Sequence, residues 1–72
     1  MIDITLENGF VTFYSSVVGV VASNVESCEV VDENCCHLGT NVGVFLISVN
    51  QFSINQIEFN TSTEAVNYIL NN

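Results

Sequence analysis

The sequence contains neither lysine nor arginine, and its eight acidic residues give a formal net charge of −8. Besides the amino terminus, His37 is the only group that can become positively charged. Proteins hold nucleic acids and anionic membranes mainly through cationic side chains that neutralise phosphates. We therefore expect no binding to DNA, RNA or an anionic membrane, and ion pairs between carboxylates and Lys or Arg cannot form.

Long apolar runs and leader-like patterns are also missing. The longest apolar run, residues 17–22, is far shorter than the roughly 18 residues of a membrane helix. No positively charged region precedes an apolar stretch, as it would in a signal peptide. The three cysteines are an odd number, which is typical of proteins from a reducing compartment. These features together predict an intracellular protein.

Apolar residues, by contrast, are plentiful and make up 49% of a chain of only 72 residues. We expect a single domain over residues 1–72, whose core supplies only about 3–5 kcal/mol of net stability. A small domain has a large surface for its volume, so this much apolar material cannot all be hidden. The composition therefore predicts an exposed apolar patch or a partner that covers one.

The start of the sequence has the pattern of a β-hairpin. Apolar and polar residues alternate over residues 2–7, as in a half-buried strand. Asn8-Gly9 follows, which is the favoured dipeptide of a two-residue type I′ turn. Such a turn pairs Glu7 with Phe10 and sets the register of the hairpin.

The end of the sequence predicts one short helix. Thr61 and Glu64 fit a capping box, and apolar residues recur at helical spacing up to Leu70. Residues 32–41 are polar and rich in turn formers, which predicts a loop. Further strands are predicted over residues 17–23, 25–31, 42–49 and 54–59, with a turn over 50–53. The expected fold is α+β: a mainly antiparallel sheet of about five or six strands with one short C-terminal helix.

Residues 42–49 are apolar at both odd and even positions, so this strand should be covered on both faces. One short helix can cover only one face of a sheet. The face left open needs a partner, and we take Phe45, Ile47 and Val49 as candidate interface residues. Phe10 and Tyr14, two aromatic residues on the polar face of the hairpin, are further candidates because aromatic residues anchor many interfaces.

Cys28, Cys35, Cys36 and His37 are the only cluster with the chemistry of a metal or catalytic site. Three thiolates and an imidazole suit zinc, but paired ligands of structural zinc sites are separated by about two to four residues. Cys36 and His37 make a poor nucleophile–base pair, because sequence neighbours point apart and the acidic residues nearby oppose thiolate formation. We therefore expect no enzyme activity and no cofactor, and these four residues remain a minor alternative as a metal or thiol site.

Both ends of the sequence carry a resemblance. The opening MIDITLENG resembles the start of the FlbD-like small flagellar-operon proteins, and residues 52–70, a strand followed by a capped helix, are similar to their ends. Similar short openings occur in small proteins of bacteriophages. The absence of Lys and Arg departs from the flagellar pattern and favours the phage comparison. The resemblance implies a protein of the bacterial host cytoplasm or of a virion, and it implies no site residues.

Surplus apolar strand surface and uniform negative charge favour a non-enzymatic interaction or structural protein. Its expected partner is a second copy or another protein, including a basic one, and contact is expected through an apolar sheet face. A second hypothesis is an acidic inhibitor that occupies the basic nucleic-acid-binding site of a host protein. That hypothesis requires the carboxylates to gather on one face.

Overall fold

The computed structural model describes all 72 residues and contains seven strands and one helix. In chain order these are β1 (Ile2–Glu7), β2 (Phe10–Ser15), β3 (Gly19–Asn24), β4 (Ser27–Val30), β5 (Cys35–Thr40), β6 (Gly43–Ser48), β7 (Phe52–Ile54) and α1 (Ser62–Leu70). One sheet has the strand order β3-β2-β1-β7 and the other has the order β4-β5-β6. Only β1 and β7 are parallel. The predicted α+β fold with mainly antiparallel strands and a C-terminal helix is confirmed.

The predicted hairpin forms in the predicted register. Glu7 pairs with Phe10 across β1 and β2. The two turn residues, Asn8 and Gly9, have φ angles of 52° and 77°. A type I′ turn requires positive φ at both positions, which Gly adopts without steric cost and Asn tolerates. The local sequence is therefore sufficient to place this turn.

One core joins the inner faces of the two sheets and of the helix. Its 14 buried apolar residues are Ile4, Leu6, Val11, Phe13, Val21, Cys28, Cys36, Leu38, Val49, Phe52, Ile54, Ala65, Val66 and Ile69. Phe13 on β2 and Phe45 on β6 meet edge to face, with 5.3 Å between ring centroids. The helix contacts β4 and β5. The molecule is therefore a small two-sheet sandwich closed on one side by a helix.

The loop predicted over residues 32–41 is wrong, because Cys35–Thr40 forms β5, the central strand of the second sheet. Its inward residues Cys36 and Leu38 are fully buried. The small and polar residues of this stretch made it look like a turn. Small residues also suit a central strand, because the side chains of β4 and β6 leave little room on either side of it. A Cβ at Gly39 would lie 2.2 Å from the Ser27 Oγ on β4.

The turn in this region is shorter than predicted and is built by Asp32. One carboxylate oxygen, Oδ1, accepts hydrogen bonds from the backbone N–H of Asn34 (2.8 Å) and of Cys35 (2.9 Å). Such side-chain bonds to the backbone two and three residues later are typical of Asx turns. The acidic residues between β4 and β5 therefore form the turn that leads into β5.

The last strand also differs from its prediction. Phe52–Ile54 forms β7, whereas the sequence pattern predicts a turn over residues 50–53 and a strand over 54–59. All three residues of β7 are buried, so the strand has no alternating pattern by which to recognise it. The strand predicted over residues 17–23 is shifted as well, because Val17 and Val18 lie in the turn before β3.

The capping box is confirmed. Thr61 Oγ1 accepts from the backbone N–H of Glu64, and the Glu64 side chain accepts from the backbone N–H of Thr61. The next residue, Ser62, is fully buried and its hydroxyl donates to the carbonyl of Asp32. The N–H of Ser62 donates to the carbonyl of Glu33 at 2.8 Å. The start of the helix is thereby joined to the turn between β4 and β5.

Candidate functional site

The strand β5 separates the cysteine and histidine residues that lie together in the sequence. Side chains alternate between the two faces of a strand, so Cys36 points into the core while Cys35 and His37 point outwards. Cys28 on β4 is also buried, on the inner face beside Cys36. All three cysteines are free thiols, and no group of three or more His, Cys, Asp or Glu residues is arranged to hold a metal ion. What remains of the predicted cluster is a buried pair of thiols.

The two buried thiols differ in acidity. A hydrogen bond from the Cys36 thiol lowers the pKa of Cys28, against the opposing effects of burial and of the Glu29 carboxylate. The same hydrogen bond, together with burial, raises the pKa of Cys36. Cys28 is therefore the first of the pair to lose its proton. Neither thiol has a cationic or imidazole partner on the inner face, so nothing in the pair is arranged as a nucleophile with its base.

This pair makes stability depend on pH in the alkaline range. Around the ordinary thiol pKa of 9.0 the unfolded chain loses both protons, whereas the folded chain keeps that of Cys36. The free energy of unfolding should therefore fall above pH 9, by about 1.4 kcal/mol per pH unit. Cys28 acts in the opposite sense below pH 9, because its lowered pKa adds stability that is lost as the pH falls through that pKa.

Urea unfolding between pH 8 and pH 10.5 measures this slope. Replacing both buried thiols, Cys28→Ala together with Cys36→Ala, should remove the decline above pH 9, whatever the variant loses in absolute stability. Cys36→Ala alone leaves Cys28 with only burial and Glu29 acting on it, and both raise its pKa. Cys35→Ala, which changes a thiol on the outer face of β5, should retain the decline. An equally steep decline in the double variant would show that other groups are responsible.

The eight carboxylates do not gather on one face. They lie on the outer face of β1, on and beside β4, in the turn before β5, ahead of the helix and in its first turn: Asp3, Glu7, Glu26, Glu29, Asp32, Glu33, Glu58 and Glu64. None lies within residues 34–57. The strands β5, β6 and β7 are therefore free of negative charge, and His37 is their only ionisable side chain apart from the thiols of Cys35 and Cys36.

The outer face of the first sheet exposes aromatic and aliphatic side chains. Phe10 and Tyr14 on β2 are both exposed, as the hairpin pattern predicts for its polar face. On the neighbouring edge strand β3, Val20 lies opposite Tyr14 and is exposed too. Asp3 and Glu7 on β1 lie on the same face two strands away from β3. This face is therefore apolar near β3 and acidic along β1.

In residues 42–49 the exposed side chains are not the ones that the sequence analysis took as interface candidates. Phe45 and Ile47 are half-buried on the inner face, and Val49 is only 4% exposed, so this row belongs to the core. The exposed row consists instead of Val42, Val44 and Leu46. A strand that is apolar at both odd and even positions does not reveal which set faces inwards, and packing against Phe13 selected Phe45.

The backbone of β6 is open along one side, because β6 is an edge strand of the second sheet. The N–H of Val49 donates to the carbonyl of Asn34, in line with β5. Hydrogen-bonded and non-bonded residues alternate along an antiparallel pair. The N–H and C=O groups of Val44, Leu46 and Ser48 therefore point away from β5, towards the open side.

An apolar crevice runs beside this open edge. It has a volume of about 220 Å³ and lies between β6 and the first sheet, where Phe45, Leu46 and Ile47 face Ile2, Phe13 and the segment 14–17. Nine of its eleven lining residues are hydrophobic. The open edge and the crevice together form an apolar exposed part of the second sheet, and nothing in the sequence pattern indicates that they adjoin.

No protein-family model, curated protein or solved structure was found to match the chain. The similarity of its two ends to flagellar-operon and phage proteins therefore stays a prediction. No helix in the structure has the length and apolar character needed to cross a membrane.

Proposed function

We propose that this chain is a non-enzymatic interaction protein that associates with itself through an exposed apolar strand surface. The observation that supports the proposal is the exposed row Val42, Val44 and Leu46, on or next to an edge strand within the uncharged residues 34–57. These side chains are surplus to a core that already contains 14 apolar residues. The resemblance of the chain ends supports a structural or accessory role in a phage virion or in the bacterial host cell.

The charge of the molecule decides how such association depends on salt. Two copies that each carry −8 repel one another at long range. Salt shortens the range of this repulsion, from about 30 Å at 0.01 M to about 8 Å at 0.15 M. Apolar contact between copies is not weakened by screening. Self-association should therefore become stronger as salt is added.

Light scattering of the purified chain at 0.01 M and 0.15 M sodium chloride tests the proposal. We expect a mass of at least twice 7.9 kDa in the higher salt and a shift towards the monomer in the lower salt. A 7.9 kDa monomer at all concentrations in 0.15 M salt would rule out self-association. Binding to a basic partner shows the opposite dependence, since added salt weakens attraction between opposite charges.

The acidic-inhibitor hypothesis receives less support from the geometry. An acidic chain that replaces a nucleic acid needs a dense row of negative charge, because duplex DNA carries one charge per roughly 1.7 Å. Here the eight carboxylates are distributed over both sheets and the helix. The outer faces of the two sheets point in opposite directions, so only some of these carboxylates could face one basic site.

A further inference from the structure

We propose that the self-associated form is built by β6 pairing antiparallel with β6 of a second copy, which joins two three-stranded sheets into one six-stranded sheet. This inference rests on the proposed self-association and specifies its interface. It follows from three properties of β6: its open backbone, its lack of protecting residues and the absence of carboxylates from residues 34–57.

The backbone of β6 supplies the hydrogen bonds for such a pair. The N–H and C=O groups of Val44 and Leu46 and the N–H of Ser48 point towards the open side of the sheet, and no strand of the same chain pairs with them. The Ser48 carbonyl already accepts from the N–H of Gln51 at 2.8 Å. An antiparallel partner strand satisfies the groups that remain open. The same strand in a second copy presents the same groups, so a two-fold axis can relate the two copies.

Edge strands of natural proteins usually carry features that prevent such pairing. Lysine, proline, inward-pointing charges and bulges are the common ones. The sequence contains no Lys and no Pro, and Gly43–Ser48 has no charged residue. The exposed side chains Val44 and Leu46 would lie beside their equivalents in a pair. The strand is therefore suited to pairing rather than protected from it.

The charge distribution identifies a second copy as the occupant. Two molecules of charge −8 can approach most closely where neither carries a carboxylate, and residues 34–57 carry none. On the outer face the nearest acidic residue across the sheet is Glu29, two strands away from Leu46 with His37 between them. A basic partner, by contrast, would be attracted to the acidic parts of the surface. The strand β6 carries no carboxylate with which such a partner could form an ion pair.

The four edge strands are β3, β4, β6 and β7. β7 is buried at all three residues and β4 carries Glu29, and the crevice beside β6 favours this edge over β3. A strand added to β6 lies next to the apolar crevice of about 220 Å³, which leaves room for its inward-facing side chains. The outward residues of β3 are Val20, Ala22 and Asn24, of which only Val20 is a large apolar residue. The two edges are otherwise similar, which makes β3 a suitable internal control.

Matched substitutions at the two edges test the inference. Val44 and Val20 are 63% and 72% exposed, each follows a glycine, and each has its backbone N–H on the open side of its sheet. Sedimentation equilibrium in 0.15 M salt should show that Val44→Asp raises the dissociation constant of the dimer at least about 30-fold. Val20→Asp introduces the same charge at the other edge and should change it by less than about threefold. Circular dichroism verifies that both variants are folded.

A second pair of variants separates backbone pairing from simple apolar contact. Proline removes the N–H group, and an edge strand tolerates it where that group faces solvent. Val44→Pro should therefore weaken the dimer as Val44→Asp does, whereas Val20→Pro should not. A stable dimer that is insensitive to both Val44 variants would overturn strand pairing while leaving self-association intact. Sensitivity to Asp but not to Pro would likewise overturn it, in favour of contact between sheet faces. A wild-type chain that stays monomeric would overturn the proposed function itself.

Discussion

Replacing Phe52 with alanine is expected to leave the chain largely unfolded at 25 °C. Phe52 is 1% exposed and is the largest of the fully buried side chains. Removing a buried phenylalanine ring lowers stability by about 3–5 kcal/mol, through lost apolar burial and the cavity left behind. A domain of this size has a total net stability of about 3–5 kcal/mol. The two quantities are similar, so Phe52→Ala should remove most of the folded population.

Far-ultraviolet circular dichroism with urea titration measures this loss. Phe10→Ala is the matched control, because Phe10 is 44% exposed on the outer face of the first sheet. It should lower the free energy of unfolding by less than about 1 kcal/mol, as substitutions at exposed positions usually do. A folded Phe52→Ala variant that loses less than 1 kcal/mol would mean that β7 does not contribute to the core in this way.

The second large loss of stability is expected on substitution of Asn55, the residue after β7. Its side chain bonds to β1 in the way that the backbone of a further β7 residue would. Its amide Nδ2 donates to the carbonyl of Leu6 at 2.8 Å, and its Oδ1 accepts from the N–H of Leu6 at 2.9 Å. The N–H of Asn55 donates to the carbonyl of Ile4. The side chain thus bonds both backbone groups of Leu6, as the next residue of a strand would. Its Nδ2 also donates to the hydroxyl of Tyr68 on the helix.

Asn55→Gly should lower the free energy of unfolding by about 2–4 kcal/mol, since it leaves the two Leu6 backbone groups without these partners in a partly buried position. Gln56→Gly is the matched control. Both residues have positive φ, 52° at Asn55 and 67° at Gln56, so glycine relieves backbone strain equally at both positions. Only the Asn55 side chain bonds to β1, and Gln56→Gly should be neutral or slightly stabilising. Equal losses in the two variants would show that these side-chain bonds contribute little.

Asn55→Asp distinguishes the two bonds. A carboxylate keeps the acceptor for the N–H of Leu6 but faces the carbonyl of Leu6 with a second acceptor. The variant should therefore lose at least as much stability as Asn55→Gly near neutral pH and regain part of it below pH 4, where the carboxylate takes up a proton and becomes a donor. Thermal unfolding at pH 7 and pH 3.5, relative to the wild type, provides the comparison.

The parts of the fold that the sequence predicts correctly are those with local causes. The turn at Asn8-Gly9 depends on the φ angles of two adjacent residues, and the helix start depends on a capping box within four residues. These signals are complete within a few residues of sequence. The hairpin register and the start of the helix were therefore predictable without knowledge of the rest of the molecule.

The incorrect predictions concern strands that distant segments of the chain cover. The sequence of such a strand does not show the regular alternation of apolar and polar residues that marks a half-exposed strand. Phe52–Ile54 is a buried edge strand with no alternation, and the central strand Cys35–Thr40 alternates only as far as Leu38, the first of three buried residues in a row. Asn55 could not have been identified from its sequence neighbours, because its partner Leu6 is 49 positions away. The split of Cys35 and His37 from Cys36 is, by contrast, the ordinary alternation of a strand, and it was missed because β5 was predicted as a loop.

The sequence by itself determined the chemistry that this protein lacks and the sign of its charge. With no Lys, no Arg and eight acidic residues, its repulsion between copies and its expected failure to bind phosphates follow from composition alone, since net charge does not depend on folding. Only the tertiary structure decided which apolar residues remain exposed. Residues 42–49 are apolar at both odd and even positions, and the contact of Phe45 with Phe13 leaves Val44 and Leu46 on the surface. The placement of that row on an open edge and beside a crevice likewise depends on strand order, which only long-range packing sets.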